Sequence, residues 1–295
     1  MMDVTVIIPV FNRAEMLSKR LQELNVLGRQ LNIIISVIIV DDFSKELIKL
    51  QFYEMLKLKL IRHLRNRGAA AARNTGVNAA RTTWISFLDS DDCLFKDKFL
   101  ILNEKKYQSV DGIIGGQQAL TSCGDTFEIN NNPQSYNLKK ELVRGWVPNN
   151  PSSVLIKREA YIKIGGMNEN LETCEDHQFW LNAIINHDLD IKIEDRIFSQ
   201  FYNHSRERLS LQFETRISSV KIFLKSIEKY FDNRKDYKKF SQNYWLNVLY
   251  PFLFLRRLNL ESLRIWIICF FQIISNKQLP FRALKKFKKM VQLKI

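Results

Sequence analysis

Cysteine, proline, glycine and histidine are all scarce in this chain of 295 residues, which contains 4, 6, 10 and 4 of them. The four cysteines stand far apart, at positions 93, 123, 174 and 269, with no Cys-x-x-Cys pair and no histidine at zinc-site spacing. This pattern argues against a structural zinc site and against a small fold held by disulfides. Because 46% of the residues are hydrophobic, a disordered or collagen-like chain is also excluded.

Export and membrane-spanning segments are missing from the sequence pattern as well. The chain runs straight into a strand-like stretch over residues 4–8, without the basic, apolar and small-residue regions of a signal peptide. The longest apolar run, residues 265–271, lies between Arg264 and Gln272, whereas a transmembrane helix needs about 20 largely apolar residues. We therefore predict a cytoplasmic protein with reduced thiols and no full membrane span.

Acidic residues are few in the last part of the chain. Residues 211–295 hold 18 Lys and Arg against 5 Asp and Glu, whereas residues 1–210 hold 27 against 26. Nearly all of the net charge of +14 thus belongs to the C-terminal region. Two amphipathic stretches there, residues 213–231 and 281–295, have Lys and Arg beside an apolar stripe.

These stretches predict a peripheral contact with an anionic membrane surface on its cytoplasmic face. A helical cap packed on the preceding domain, with a solvated basic rim, is the alternative. Nucleic acid is not expected as a partner, because the aromatic residues fall on the apolar stripes and no recognised nucleic-acid-binding motif is present.

The first half of the chain alternates strand and helix patterns. Three apolar, largely β-branched runs predict buried strands over residues 4–10, 33–40 and 84–88. Helical spacing or composition predicts helices over residues 14–27, 46–58 and 69–80. A short strand is predicted over residues 60–64. Repeated β-α-β units with short links predict an α/β fold with a mostly parallel sheet flanked by helices.

Acidic clusters follow two of the predicted strands. Asp41 and Asp42 come after the second strand, and Asp89, Asp91 and Asp92 after the last one. Carboxyl ends of parallel strands share one edge of a sheet, where ligands bind. Oxygen ligands of this kind suit Mg²⁺ or Mn²⁺, although solvated turns are the alternative, and we expect Asp92 to cap a helix that begins near residue 95.

These elements together carry a family resemblance. In order, the strings VTVIIPVFNRAEML, VIIVDDFS, NRGAAAARNTGVNAA and WISFLDSDD resemble the nucleotide-sugar-binding half of the family 2 glycosyltransferases, which have the GT-A fold. PNNPSSVLIKREAYIKIGG at residues 148–166, followed by Met-Asn-Glu and Glu-Asp-His-Gln-Phe-Trp, resembles their acceptor half. The resemblance covers about residues 3–210.

The resemblance implies roles for five residues on the donor side. Pro9 would contact the nucleotide base through its backbone, Phe11 would stack on the base, and Asp42 would accept a hydrogen bond from it. Asp89 would contact the ribose or the metal shell, and Arg73 would hold the diphosphate. For Phe11 the alternative is a core aromatic beneath the loop. A glycine often follows the second aspartate in this family, and Phe43 stands there in this chain.

On the metal and acceptor side the resemblance implies four residues, and Trp146 is a fifth candidate because an aromatic face suits the apolar side of a sugar ring. Asp91 would bind Mn²⁺ or Mg²⁺, and His204 would fold back to the same metal or to the diphosphate. Asp176 would be the catalytic base, and Glu175 and Trp146 would contact the acceptor. The alternative for Asp176 is a carboxylate that only stabilises the start of a helix. His204 could instead be an ordinary surface or core histidine, and Trp146 could be an ordinary packing residue.

The sequence thus predicts an inverting, metal-dependent glycosyltransferase of hexosyltransferase type. It would move a sugar from a nucleotide sugar, a UDP-sugar, to a hydroxyl of a glycan or lipid-linked glycan in cell-envelope polysaccharide synthesis. Residues 1–210 would form the catalytic domain, with donor half 1–100 and acceptor half 101–210, and residues 211–295 a helical basic extension. A sugar-nucleotide nucleotidyltransferase and a catalytically silent scaffold are the alternatives.

Overall fold

A single sheet organises the computed structural model, which describes residues 3–120, 124–129, 137–143, 150–202, 213–241 and 244. Within these residues the sheet has nine strands. They are β1 (Val4–Val10), β2 (Ile35–Asp41), β3 (Leu56–Arg62), β4 (Trp84–Phe87), β5 (Asp92–Leu94), β6 (Gly112–Leu120), β7 (Thr126–Ile129), β8 (Val154–Lys157) and β9 (Ile191–Tyr202).

α-Helices accompany the strands in the described part of the chain, with short 3₁₀ and π-helical turns between them. They are α1 (Ala14–Leu31), α2 (Gly68–Ala79), α3 (Asp97–Leu100), α4 (Leu138–Val143), α5 (Arg158–Ile164), α6 (Glu175–Leu181) and α7 (Phe213–Ile227). A further helix spans residues 234–241. The predicted helices over residues 14–27 and 69–80 are confirmed as α1 and α2.

The order of the strands puts the carboxyl ends of four parallel strands at one edge. The sheet runs β3-β2-β1-β4-β8-β6-β9-β5, with β7 paired to β6. β1, β2, β3 and β4 are parallel, so that Ile7 lies opposite Ile38 on one side and Phe87 on the other. β8 runs against both β4 and β6, and β9 is parallel to β6. The predicted α/β fold with a sheet flanked by helices is confirmed, and antiparallel pairs join the parallel ones beyond β4.

β1 is buried on both faces, as its unbroken apolar pattern predicts. Val6 and Ile8 share one core cluster with Leu21 of α1. On the other face, Ile7 lies against Gly76 of α2. Helices therefore cover both faces of the sheet at β1, and the loops at its carboxyl end are held between them.

We expect Gly76→Ala to destabilise the protein, because α2 approaches β1 most closely there. An added Cβ would lie 2.4 Å from Ile7 Cγ2, far inside van der Waals contact. Overpacking of this kind costs about 1–3 kcal/mol of unfolding free energy. Urea unfolding would measure the loss. Asn78→Ala, at an exposed position of the same helix, serves as the control and should change stability by less than about 0.5 kcal/mol.

Two sequence predictions about local structure are wrong. Residues 46–58 do not form a helix, and the last three of them belong to β3, which begins at Leu56. β3 therefore begins four residues before the strand that the sequence predicts over residues 60–64. The run Leu-Lys-Leu-Lys-Leu from residue 56 alternates with period two, which favours a strand over a helix. Asp92 does not cap a helix either. It belongs to β5, and its Oδ2 accepts a hydrogen bond of 2.8 Å from Asn150 Nδ2.

The chain divides into two units. One comprises Met1–Glu141 and Trp146–Tyr230, and the other comprises Leu142–Gly145 and Phe231–Ile295. The division expected from sequence, after residue 210, stays a prediction. In the second unit four aromatic rings pack in a chain: Phe231, Tyr237, Phe240 and Tyr244.

α7 belongs to the first unit and is amphipathic as predicted. Val220, Leu224 and Ile227 are buried, whereas Lys221 and Lys225 are exposed. The described part of this apolar stripe is thus packed inside the protein, in agreement with the cap alternative for α7. The apolar run at residues 265–271 and the basic stretch at 281–295 lie outside the described residues. No helix in the described ranges is long and apolar enough to cross a membrane.

Candidate active site

Hydrogen bonds join the loops that follow β1, β2 and β4 at the carboxyl edge of the sheet. The Asn12 backbone N–H donates to Ser44 Oγ at 2.9 Å, and the Lys45 N–H donates to Asn12 Oδ1 at 2.8 Å. Arg13 Nη1 lies 3.1 Å from Asp91 Oδ2 and also donates to Ser90 Oγ at 3.2 Å. The acidic clusters after β2 and β4 thus lie in loops that residues 12 and 13 link to each other.

Asp41 shapes the loop after β2. It is buried, its Oδ1 accepts the Ser44 N–H at 2.9 Å, and its Oδ2 accepts a hydrogen bond from Arg62. Phe43, which lies between Asp41 and Ser44, has a φ of +70°, a left-handed conformation that suits glycine and costs about 1–2 kcal/mol in other residues. The Phe43 ring lies 5.6 Å below the Arg62 guanidinium, a cation–π contact that offsets part of this cost.

Asp42 is buried and bonded at the start of α2. Its Oδ1 accepts the Arg67 N–H at 2.9 Å and lies 2.7 Å from His63 Nδ1, while its Oδ2 accepts the Gly68 N–H at 2.7 Å. His63 Nε2 lies in turn 2.9 Å from Thr75 Oγ1. A carboxylate can accept about four hydrogen bonds, so that these three contacts leave one position. The contact with a nucleotide base stays a prediction.

Phe11 stands at the carboxyl end of β1 with 45% of its surface exposed. The alternative that it is a core aromatic is therefore wrong, and its ring is accessible to a ligand. Pro9 is half-buried within β1, where it pairs in register with Val40 of β2. Both predicted base contacts thus lie at the end of the same strand, and their roles stay predictions.

Arg73 bridges two carboxylates from different parts of the chain, an arrangement that we call the Arg73 bridge. Its Nη2 donates to Asp89 Oδ1 at 2.7 Å, and its Nη1 donates to Glu175 Oε1 at 2.8 Å. Burial of Arg73 opposes its charge, but Asp89, Glu175 and Asp176 together hold the pKa of the guanidinium above its ordinary value. The buried Arg73 Nε has no hydrogen-bond partner. Arg73 is therefore a permanent cation in the site.

Glu175 and Asp176 begin α6, directly after Cys174, whose φ is +68°. Burial, and then the adjacent Asp176, raise the pKa of Glu175, although Arg73 acts in the opposite direction. Asp176 is only half-buried, and its Oδ1 accepts the His177 N–H at 2.8 Å. The predicted base, Asp176, thus directly follows Glu175, which Arg73 links to Asp89 on the donor side.

A buried lysine supports the Asp89 loop from behind. Lys98 Nζ donates to the Ser152 carbonyl oxygen at 2.7 Å, and Ser152 Oγ accepts the Asp89 N–H at 3.0 Å. Burial lowers the pKa of Lys98 well below its ordinary value, although Asp92 and Asp89 act in the opposite direction. Nothing in the sequence pattern distinguished Lys98 or Ser152 from ordinary helix and loop residues.

Asn74, next to Arg73 on α2, makes a second link to the acceptor half. Its Oδ1 accepts hydrogen bonds from the Tyr161 hydroxyl at 2.7 Å and the Met167 N–H at 2.9 Å. Its Nδ2 donates to the Met167 carbonyl at 2.9 Å and to Glu169 at 3.0 Å. The sequence analysis missed Asn74, although it lies in the same matched string as Arg73.

The Asp89–Asp91 loop fits a hard divalent cation in its donor chemistry. Asp89 and Asp91 are both partly exposed, and within the described chain only one oxygen of each is bonded, to Arg73 and Arg13 respectively. Mg²⁺ and Mn²⁺ are commonly held by one or two carboxylates together with phosphate oxygens and water. No group of three or more His, Cys, Asp or Glu side chains in the described ranges forms a metal site by itself. The two other predicted residues, His204 and Trp146, lie outside the described residues.

Comparison with known proteins identifies the class of protein to which this fold and site belong. Residues 5–165 match the family described as Glycosyl transferase family 2. This match spans more than half of the chain, and the chain therefore belongs to the family 2 glycosyltransferases. No curated protein sequence matches the chain significantly.

Solved structures agree on the fold. A crystal structure of S. aureus TarS residues 1–349 is 18% identical, with a TM-score of 0.61 over 96% of this chain and 82% of that one. The same TarS fragment in complex with UDP-GlcNAc is 17% identical, with a TM-score of 0.59 over 96% and 83% of the two chains. The mannosyltransferase PcManGT from Pyrobaculum calidifontis, in complex with GDP-Man and Mn²⁺, is 15% identical, with a TM-score of 0.58 over 99% and 80%. The protein is a GT-A nucleotide-sugar glycosyltransferase.

Proposed function

We propose that the protein transfers a sugar from a UDP-sugar, with inversion at the anomeric carbon, to a hydroxyl of a lipid-linked glycan in cell-envelope polysaccharide synthesis. The observation that carries this proposal is the Arg73 bridge. It ties Asp89, in the loop that would hold the diphosphate, to Glu175, which directly precedes the candidate base Asp176. Inverting transfer needs a carboxylate on the side of the sugar opposite the leaving group, and Asp176 is the candidate for that carboxylate.

On the donor side, the exposed Phe11 ring offers a stacking surface for a nucleotide base. Asp42, with one acceptor position remaining, receives an N–H of the base, a pairing that suits uracil. The structural similarity to TarS in complex with UDP-GlcNAc supports uridine, whereas the similarity to PcManGT with GDP-Man keeps guanosine as the second candidate. Arg73, whose Nη2 contacts Asp89, would hold the diphosphate through its guanidinium charge.

Asp91 and Asp89, with His204 as a further ligand, would hold Mn²⁺ or Mg²⁺. Such an ion, when bound, stabilises the negative charge of the nucleoside diphosphate that leaves. Arg13 keeps Asp91 in the loop through its ion pair of 3.1 Å. The residues of the chain thus position the diphosphate and balance its charge.

On the acceptor side, Asp176 takes the proton from the acceptor hydroxyl while its oxygen attacks the anomeric carbon. Glu175 and Trp146 position the acceptor. Arg73 holds Glu175 in place and keeps positive charge near Asp176.

A panel of nucleotide sugars tests the proposal, with calorimetric binding and slow hydrolysis of the donor as the two measurements. We expect UDP-sugars to bind in the presence of Mn²⁺ and to be hydrolysed slowly. Preference for a sugar 1-phosphate with a nucleoside triphosphate would favour a nucleotidyltransferase. If donors bind but neither hydrolysis nor transfer occurs with any candidate acceptor, the protein is a silent scaffold. If no nucleoside diphosphate binds with metal present, the proposal fails.

Asp91→Ala is expected to abolish the metal dependence of donor binding, because it removes a carboxylate ligand of the ion. Calorimetric titration of the donor with and without Mn²⁺ measures this dependence. Asp190→Ala, which removes an exposed carboxylate paired with Lys192, is the matched control and should bind donor as the wild type does. An unchanged response to Mn²⁺ in Asp91→Ala would remove Asp91 from the metal site.

The basic C-terminal stretch is proposed to bind the cytoplasmic face of an anionic membrane. Replacing Lys285, Lys286, Lys288 and Lys289 with glutamine should weaken binding to vesicles that contain phosphatidylglycerol at least tenfold, since each basic residue near such a surface contributes about 1 kcal/mol. Co-sedimentation at low salt measures the affinity. A variant with four exposed lysines replaced elsewhere serves as the control: Lys105, Lys106, Lys163 and Lys192. Equal loss in both variants would contradict a specific role of this stretch.

A further inference from the structure

Exposed hydrophobic side chains are concentrated in one stretch at the edge of the sheet, residues 43–65, which we call the β2–β3 segment. It holds six of the fourteen large hydrophobic side chains that are exposed among the described residues. The three most exposed of all belong to it: Leu64 at 95%, Phe52 at 91% and Leu47 at 71%. Single exposed apolar residues are ordinary, but such a concentration indicates an interaction surface.

The same segment is basic, and its lysines have no acidic partner among the described residues. Residues 43–65 contain six Lys and Arg against two Asp and Glu. Lys45, Lys49, Lys57 and Lys59 are exposed, and the structure gives none of them an ion pair with a carboxylate of the described chain. Glu54, one of the two acids, is itself paired with Arg29. The excess positive charge is thus available to an anionic partner.

The position of the segment argues against a second copy of the chain as that partner. β3 is the terminal strand of the sheet, and such a strand can pair with the edge of another molecule. Lys57 and Lys59 stand exposed along β3, and lysines on an edge strand oppose pairing of this kind. Apolar side chains interspersed with lysines suit the boundary between lipid headgroups and acyl chains, where lysine stems lie along apolar surface and their charges stay in water.

We propose that the β2–β3 segment docks the catalytic unit on a bilayer that contains anionic phospholipid. Leu47, Phe52 and Leu64 enter the acyl boundary, and the lysines contact the headgroups. This segment is distinct in sequence from the basic stretch at residues 281–295. Leu64 directly follows His63, which contacts Asp42, so that docking brings the carboxyl edge of the sheet close to the lipid. This last consequence rests on the proposed function, because it would bring the site to a lipid-linked acceptor.

Vesicle binding by full-length variants tests the proposal. With vesicles of phosphatidylcholine and phosphatidylglycerol in equal parts, the triple variant Leu47→Ser, Phe52→Ser, Leu64→Ser should bind about tenfold more weakly than the wild type or worse. The matched control removes three exposed apolar side chains elsewhere, Val26→Ser, Leu100→Ser and Ile162→Ser, and should bind as the wild type does. Equal binding by the triple variant and the wild type would overturn the proposal.

A second measurement avoids any effect of the substitutions on folding. A benzoyl-phenylalanine photo-crosslinker at position 52 should form lipid adducts on illumination, whereas the same group at position 26 on α1 should not. Adducts at both positions or at neither, read by mass spectrometry, would contradict docking through the β2–β3 segment. Replacement of Lys45, Lys49, Lys57 and Lys59 by glutamine should weaken the binding and reduce its sensitivity to salt.

The tail variant with four glutamines at positions 285–289 separates the two membrane contacts. Loss of binding in the tail variant alone would overturn docking through the β2–β3 segment and leave the tail contact standing. Loss in the triple serine variant alone would support the segment and contradict the tail. If the triple variant changes the oligomeric state and leaves lipid binding unchanged, the surface is a protein interface and the proposal is wrong.

Discussion

Asp176→Asn should lower the rate of donor turnover by about 10²–10⁴-fold while leaving donor affinity unchanged, because a general base contributes a factor of this size. Asparagine keeps the oxygen that accepts the His177 N–H at 2.8 Å, and α6 should therefore begin as before. Release of nucleoside diphosphate with water as the acceptor measures turnover, and calorimetry measures donor affinity. The expected separation of the two quantities is what distinguishes a base from a binding residue.

The control for this experiment lies four residues away. Glu172 is exposed, and Glu172→Gln removes one negative charge near α6 without touching the Arg73 bridge. Its turnover should stay within a factor of about two or three of the wild type, as surface substitutions usually do. Turnover of Asp176→Asn at the level of this control would show that another group takes the proton.

Arg73→Met should lower the unfolding free energy by about 3–5 kcal/mol, because removing one partner of a buried ion pair leaves the other charges uncompensated. Asp89 and Glu175 would both lose their shortest contact with a cation. Donor binding should be lost as well, since the diphosphate would then meet two carboxylates without Arg73. Denaturant unfolding and donor titration measure the two effects.

An exposed arginine of similar geometry provides the comparison. Arg67 pairs with Glu169 at 2.7 Å, but both side chains are largely exposed, and Arg67→Met should cost at most about 1 kcal/mol. Adding Glu175→Gln to Arg73→Met should restore part of the lost stability, because it removes one of the uncompensated charges. A double variant as unstable as Arg73→Met, or less stable, would show that the cost comes from packing rather than from charge.

The elements predicted best from sequence are those with an unbroken local pattern. β1 matches its predicted bounds, and α2 differs from its prediction by one residue at each end. The pairing of the acidic clusters followed from the rule that parallel strands end at one edge, and the Asn12 and Arg13 contacts confirm that their loops are joined. Here local sequence and sheet topology were sufficient.

Contacts between residues distant in the chain could not be predicted in this way. Lys98, Ser152 and Asn74 act through hydrogen bonds to partners 54 to 95 residues away, which no local pattern specifies. The left-handed Phe43 is a similar case, because its loop is held by contacts of Asp41 with Ser44 and with the distant Arg62. The missed β3 differs from these, since its two-residue alternation was present in the sequence.

The span of the Arg73 bridge has a consequence for synthesis of the chain. Arg73 is joined to Glu175 across 102 residues, and Asn74 to Met167 across 93. Because domains fold as their residues leave the ribosome, β1, β2, β3 and β4 can assemble early, but the site cannot close until residue 175 has emerged. Until then the Arg73 guanidinium has only one of its two carboxylate partners. Synthesis of α6 therefore completes the set of contacts that holds Arg73 between the donor and acceptor halves.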